Sequence, residues 1–258
     1  MKIKKYTLKD IKKLIIVGKL AANTLLMIYE YIKIGLKTDE VNSICQKYIE
    51  TKLKCSSATI GYKCYQHATC ISKNKICCHG IPSYKKKIKT NDILNIDVTI
   101  IKNGYYADTS YMYFVECNYS CFIYNNKINN ISCLYNAMSF VCECTKVSEI
   151  GALIQNFAKY HGFSVVKELC GHGIGTAFHL QPLVLNYNGY KTKDVHLKKG
   201  MCVTIEPILI QRGTKIKNLN DGWTITTKSK SHSAQWEHTL IINKKGVIIT
   251  TIRKNEKL

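Results

Sequence analysis

The chain has 258 residues, 46% hydrophobic and 21% charged, enough to bury one sizeable core, and this excludes a disordered tail, a collagen or a miniature disulfide scaffold. Its 38 basic against 17 acidic residues give a net charge of +21, but all the basic residues are lysine except Arg212 and Arg253, and they are spread along the chain. That reads as compositional drift rather than selection for phosphate forks, so the charge by itself names no partner.

In chain order, Ile11, Leu14, Ile15, Gly18, Ala21, Ala22, Leu25 and Leu26 recur at helical spacing after a cap at Thr7, which predicts a long amphipathic helix over 8–33. Thr38-Asp39-Glu40 opens a second helix to about Leu53. The pattern returns over 129–146 and 148–161, with Gly162 as a C-terminal stop. The second helices align, Glu40, Val41, Ile44, Gln46 and Tyr48 against Glu149, Ile150, Leu153, Gln155 and Phe157, which hints at duplication, although any two amphipathic helices align about this well. Strand-like segments follow each pair: 69–78, 93–101 and 105–115, then 163–169, 201–210, 223–227 and 234–250. An α+β domain spanning 1–258 is expected, with halves at roughly 1–116 and 130–258 and the Asn- and Tyr-rich stretch 117–130 as a linking loop. The 13 cysteines lack zinc-finger spacing, and the charged start, Met1 to Tyr6, is no signal peptide. Free thiols acting mostly as small core hydrophobes, in a reducing cytoplasm and without a membrane span, are the expectation.

Chemistry concentrates in five segments. ILNIDVTI at 93–100 and YYADTSYMYFV at 105–115 flank Asn103-Gly104, a strong two-residue hairpin signal. Across such a turn Asp97 faces Ser110 and Asp108 faces Thr99, placing the aspartates on one face about 7–8 Å apart. Strand aspartates are often merely solvated, but two on one apolar face would repel unless protonated or neutralised by cations. CGHGIGTAFH at 170–179 surrounds His172 with glycines that allow close backbone approach and unusual conformations, and it ends on His179. It fails as a dinucleotide fingerprint. GMCVTIEP at 200–207 and SAQWEHTLII at 233–242 each set a glutamate, Glu206 or Glu237, in an apolar run, and CHGIP at 78–82 adds His79. Asp97, Asp108, His172, Glu206 and Glu237 form a hard, oxygen-rich set suited to two divalent ions; a structural calcium site is the alternative, against which the histidine argues. Cysteine chemistry is the weaker reading, because neighbours on a strand, Cys78 and His79, point to opposite faces.

NIDVTIIKNGYYADTS, CGHGIGTAFH, TIEP, DGWTI and SAQWEHT, in this order, closely resemble type I methionine aminopeptidases from about Ile11 to Arg253. The resemblance implies the pita-bread fold, two pseudo-symmetric α+β halves around a dinuclear metal site, and removal of the initiator methionine from nascent polypeptides, chiefly before a small second residue. By that resemblance Asp97 chelates one ion, His172 and Glu206 hold mainly the other, and Asp108 and Glu237 bridge both. Water or hydroxide between the ions attacks the methionyl carbonyl with Glu206 as proton acceptor, His179 contacts the peptide carbonyl, and His79 lies near the scissile nitrogen. Tyr62, Tyr65, Cys70, Phe178 and Trp223 match the methionine pocket, while Thr59 departs from the expected cysteine. Asn74, Ile76 and Ser233 match a monovalent-cation site of some relatives. Only about thirty residues separate Glu206 from Glu237, too few for the type II helical insertion, and no zinc-binding extension precedes the domain, so a short bacterial-type form is implied. The resemblance also implies a cytoplasmic monomer with cobalt, manganese, iron or zinc as its metal and no specific DNA partner. A lysine-rich surface that aids transient ribosome association is a further expectation. A catalytically silent binding module is the rival, against which retention of all five ligands argues.

Overall fold

The computed structural model describes residues 3–116, 122–189, 194–254 and 256, and of 122–130 only the backbone. Helix α1 (Leu8–Tyr29) starts at the expected cap: Thr7 Oγ1 accepts from the Asp10 amide at 3.3 Å while Asp10 Oδ2 accepts from the Thr7 amide at 3.0 Å. Helix α2 (Thr38–Lys47) continues into a π-helical turn at Tyr48–Lys52. Five strands complete the first half: β1 (Ser56–Ser57), β2 (Cys70–Lys73), β3 (Ile76–Cys78), β4 (Ile93–Lys102) and β5 (Tyr105–Phe114). The second half opens with α3 (Phe122–Phe140) and α4 (Val147–Tyr160), which Gly162 follows at φ 76°. Next come β6 (Ser164–Val165), β7 (Cys170–Gly173), β8 (Leu180–Leu185), β9 (Cys202–Ile205), β10 (Ile208–Ile210), β11 (Ile216–Asn218), β12 (Ile225–Thr227), β13 (Ser233–Gln235), β14 (His238–Asn243) and β15 (Gly246–Ile249).

The expected linking loop at 117–130 is corrected in part, because 122–130 is helical; 117–121 lies outside the described residues. Its asparagines are poor helix formers, but α3 is anchored by packing of its later turns, where Cys133, Leu134, Ala137 and Met138 are buried in the second-half core. Strands β7 and β8 have no counterpart in the sequence reading: β7 is a glycine-rich run without strand alternation, and β8 carries Pro182 in its interior, which argues against a strand.

Asn103 and Gly104, at φ 51° and 76°, close the β4–β5 hairpin as a two-residue turn, and the register pairs Asp97 with Ser110 and Thr99 with Asp108. Leu94, Ile96, Val98 and Ile100 face the core under α1 and α2, so Asn95, Asp97 and Thr99 face the other way. In the second half β14 pairs with β9. The halves join where β5 runs antiparallel to β14: Ser110 bridges to Glu237, the Asp108 amide donates to Thr239 Oγ1 at 3.0 Å, and Thr239 Oγ1 donates to the Asp108 carbonyl at 2.7 Å.

The helical echo extends to backbone contacts. Lys37 donates its amide to Glu40 Oε2 and Lys146 to Glu149 Oε2, both at 2.8 Å. Ile88 N bonds Leu36 O and Leu197 N bonds Thr145 O, again both at 2.8 Å, and Lys37 bridges Lys87 as Lys146 bridges His196. The sequence offset between members of each pair is the one that separates Asp97 from Glu206. Repetition of long-range contacts at a fixed offset exceeds what two amphipathic helices share by chance.

Gly18 on α1 lets the chain end approach: a Cβ there would stand 2.4 Å from the Thr250 carbonyl oxygen. Gly18→Ala, which in an exposed helix would stabilise by about 1 kcal/mol, is expected here to destabilise by about 1–3 kcal/mol through overpacking. A lower urea midpoint at unchanged slope is the readout.

Candidate active site

A cleft of about 360 Å³ is lined by all five acidic and imidazole candidates and by every residue carried over as catalytic or pocket-forming. Asp97 and Asp108 reach it from the β4–β5 hairpin. Glu206 and Glu237 occupy breaks between strands, after β9 and before β14, rather than lying inside continuous strands as their apolar surroundings implied. Glu206-Pro207 ends one ladder and starts another, so the carboxylate leaves the sheet's regular alternation.

His172 is held between close backbone contacts. A Cβ on Gly171 would meet the Thr204 carbonyl at 2.4 Å and one on Gly173 the Gln181 carbonyl at 2.2 Å, so close approach explains both glycines. The expected unusual conformation is confined to Gly175, at φ 141°. His172 Nδ1 lies 3.0 Å from the Gly173 carbonyl, which fixes the proton on Nδ1 and leaves the Nε2 lone pair pointing into the cleft. That atom is 3.7 Å from Glu206 Oε1 and 3.9 Å from Asp108 Oδ2. Asp108, His172 and Glu237 each bring one ligand atom within 4.8 Å of the others.

Burial, then the neighbouring carboxylates, pushes Asp97, Glu206 and Glu237 above the usual carboxylate range, and burial raises Asp108 as well. Two carboxylates 4.8 Å apart repel by roughly 3 kcal/mol even at an effective dielectric of ~20. His172 adds no positive charge, since burial lowers its pKa to about 4. Four acids and a neutral imidazole lining one cleft, with ligand atoms of Asp108, His172 and Glu237 within 4.8 Å of one another, fit divalent cations: the ions would supply the missing charge, and hard oxygens with one nitrogen suit them.

The rest of the cleft is aromatic. Tyr65 and Trp223 meet edge to face at 5.0 Å between ring centroids, Tyr62 lies 4.8 Å from Phe178, and Cys70 lines the same wall. His179 lies 4.1 Å from His172 and 5.3 Å from Tyr62, ring to ring, and His79 5.9 Å from Trp223. Burial, reinforced by Lys63, holds His79 below its ordinary pKa; burial and the His172 ring put His179 at about 3, so both rings are neutral at pH 7. The reading of Cys78 and His79 on opposite strand faces is corrected. Strand β3 ends at Cys78, His79 takes a left-handed φ of 52°, and both line the cleft. Cys78 still supplies no thiolate, because complete burial raises its pKa well above the ordinary thiol value.

Sequence reasoning set Thr99 opposite Asp108 but gave neither its hydroxyl nor that of Thr204 a part in orienting the acids. Thr99 Oγ1 donates to Asp108 Oδ1 and Thr204 Oγ1 to Glu206 Oε1, each at 2.9 Å, and Thr204 Oγ1 accepts from the His172 amide at 2.9 Å. The signal at Thr99 was its place opposite Asp108 in the hairpin register, and at Thr204 its place two residues before Glu206. Thr59, the departure from pattern, lines the cleft and donates to the His67 carbonyl at 2.7 Å. Asn74 and Ser233 meet elsewhere, the Ser233 amide donating to the Asn74 carbonyl at 2.9 Å. Seven of the eleven described cysteines are buried and all eleven are free thiols. Among the described residues no helix is long and apolar enough to cross a membrane.

Residues 12–244 match the model of metallopeptidase family M24. The chain is 44% identical over 254 residues to a methionine aminopeptidase of Escherichia coli, covering 98% of this chain and 95% of that one. It is 41% identical over 256 residues to that of Buchnera aphidicola, covering 97% and 94%. The crystal structure of methionine aminopeptidase from Rickettsia prowazekii superposes with a TM-score of 0.91 at 38% identity, covering 97% of this chain and all of that one. A prolidase from Pyrococcus furiosus, at 20% identity and a TM-score of 0.75, shares the fold over 98% of this chain and 66% of its own. The fold is thus the pita-bread fold.

In the metal-free protein the raised carboxyls keep their protons to higher pH when folded than when unfolded and contribute stability at acidic pH. That contribution is lost as pH rises above the ordinary carboxylate range through their higher folded-state values. Urea midpoints measured in chelator are expected to fall across this range, and added manganese is expected to restore them most at the alkaline end.

Proposed function

The chain belongs to metallopeptidase family M24, and from that premise we propose that it is a cytoplasmic methionyl aminopeptidase that removes the initiator methionine from nascent polypeptides, preferentially before a small second residue. The observation that carries the reading is the convergence of four carboxylates, Asp108 and Glu237 buried and Asp97 and Glu206 half-buried, and the Nε2 of a neutral His172 beside an aromatic and sulfur-lined pocket. In our reading Asp97 would chelate one divalent ion, His172 and Glu206 mainly a second, and Asp108 and Glu237 both. The metal is cobalt, manganese, iron or zinc as cellular supply decides. When bound, the ions supply Lewis acidity and lower the pKa of water to the neutral range.

The remaining work falls to side chains. Glu206 accepts the proton of the attacking water; its Oε1 is held by Thr204 and its Oε2 lies 3.4 Å from Gln235 Nε2, so the carboxylate is oriented in advance. His179, stacked on Tyr62, orients the substrate carbonyl and stabilises the developing oxyanion, and His79, turned into the cleft by its left-handed backbone, serves the scissile nitrogen. Tyr62, Tyr65, Cys70, Phe178 and Trp223 receive the methionine side chain, whose polarisable thioether gains from ring edges. The single domain would act as a monomer, its lysine-rich surface aiding a salt-sensitive approach to ribosomes. Asn74, Ile76 and Ser233 are the residues proposed for a monovalent cation.

Incubation with a Met-Ala-Ser peptide and its Leu-Ala-Ser counterpart, first in chelator and then with manganese, cobalt or iron, is expected to give metal-dependent release of methionine and little leucine. Release of neither amino acid from folded, metal-loaded protein would favour the silent binding module. Glu206→Gln is expected to keep the fold and lower kcat by about 10²–10⁴-fold; near-normal turnover would remove Glu206 from the mechanism.

A further inference from the structure

We propose that Arg253, in the segment after β15, is a positioning residue for the metal-bridging acids Asp108 and Glu237, acting through the Thr109 hydroxyl. The inference rests on the metal-site reading above and concerns a segment beyond residues 12–244, the stretch matched by the family model. Arg253 is only 2% exposed. Its Nη1 donates to Thr109 Oγ1 at 3.0 Å, and that hydroxyl has a single proton, which it donates to the Glu237 carbonyl at 2.7 Å. The guanidinium therefore polarises and fixes a hydroxyl that belongs to the neighbour of Asp108 on β5 and holds the backbone of Glu237 at the start of β14.

The rest of the guanidinium is committed to keeping it there. Nε and Nη2 both reach Glu256 Oε1, at 2.8 and 2.5 Å, and the Arg253 amide donates to Glu256 Oε2 at 2.9 Å. Nη2 also lies 3.3 Å from Nε2 of His238, the residue after Glu237. The opposite nitrogen of that ring, Nδ1, contacts Thr251 Oγ1 at 2.9 Å, and Thr251 Oγ1 accepts from the Thr239 amide at 3.0 Å. The guanidinium stands over the rings of Tyr111 at 4.8 Å and Trp236 at 5.9 Å. The segment is anchored upstream, where the Thr250 carbonyl lies against Gly18. A buried ion pair adds little stability over apolar packing of the same volume. Its contribution here is directional, because a charged donor holds Thr109 in the one rotamer that ties β5 to β14 behind the two bridging carboxylates.

Mn²⁺ affinity of the metal-free protein, read by calorimetry, together with kcat and KM on Met-Ala-Ser, tests this in Thr109→Val, Thr109→Ser, Arg253→Gln and the double variant Thr109→Val/Arg253→Gln. Thr109→Val and Arg253→Gln are each expected to weaken Mn²⁺ binding about tenfold, as loss of groups behind metal ligands does, and to lower kcat while KM stays within about twofold. Thr109→Ser, which keeps the hydroxyl, recovers most of the affinity, and the double variant is no worse than the poorer single one. An unchanged Mn²⁺ isotherm in Thr109→Val, or additive losses in the double variant, overturns the proposal and leaves the clasp purely structural. Should Arg253→Gln fail to fold, the Val and Ser pair at Thr109 carries the test with the ion pair intact. Mn²⁺ binding is read without turnover, so a wild-type protein that binds the ion but releases no methionine sinks the functional reading and not the clasp.

Discussion

Four carboxyl groups share one buried cleft with a histidine that cannot carry charge there, and the surrounding structure has to hold like charges together against their repulsion. Apolar burial on both outer faces supplies the favourable free energy: one core lies under α1 and α2, the other under α3 and α4. The site occupies the inner faces where the two halves meet. Its cost in the absence of cations is the cost of keeping protons on carboxyls that would otherwise ionise, and divalent ions remove it. Metal affinity and fold stability are therefore linked in this chain.

Placement of the acids follows from a duplicated scaffold used in two ways. Asp97 and Glu206 stand at equivalent places, on or just past the central strand of each half, while Asp108 and Glu237 come from the strands that join the halves. The aspartates need only the alternation of a regular hairpin. The glutamates leave the strands at breaks, and the longer side chain spans the added distance. Threonine hydroxyls at Thr99 and Thr204 then remove rotational freedom from one acid of each half, which pre-organises the site before any ligand arrives.

The aromatic end of the cleft works by a different principle. Tyr62, Tyr65, Phe178 and Trp223 pack edge to face or tilted against one another, so their shape is set largely by mutual contact. The imidazoles of His79 and His179 are inserted into this wall and kept neutral by burial, so that each can donate or accept a hydrogen bond without adding charge beside the acids.

The amino-acid sequence by itself determined what depends on short-range rules. The Thr7 cap set the start of α1, and the Asn103-Gly104 turn with alternation on either side of it set Asp97 and Asp108 on one face, because a two-residue turn leaves a single register. Motif order picked out the remaining acids, His172 and the aromatic residues that line the same cleft. Only the tertiary structure decided what depends on distant partners. Helix over 122–130 rests on packing rather than propensity, β7 and β8 on ladder partners that a glycine-rich run and a proline-bearing one do not advertise, and His79 on a left-handed turn that reverses strand parity. Thr109, which ties β5 to the backbone of Glu237, and Arg253 beyond the motifs draw their meaning from neighbours more than a hundred residues away in the chain, and no local pattern records such contacts.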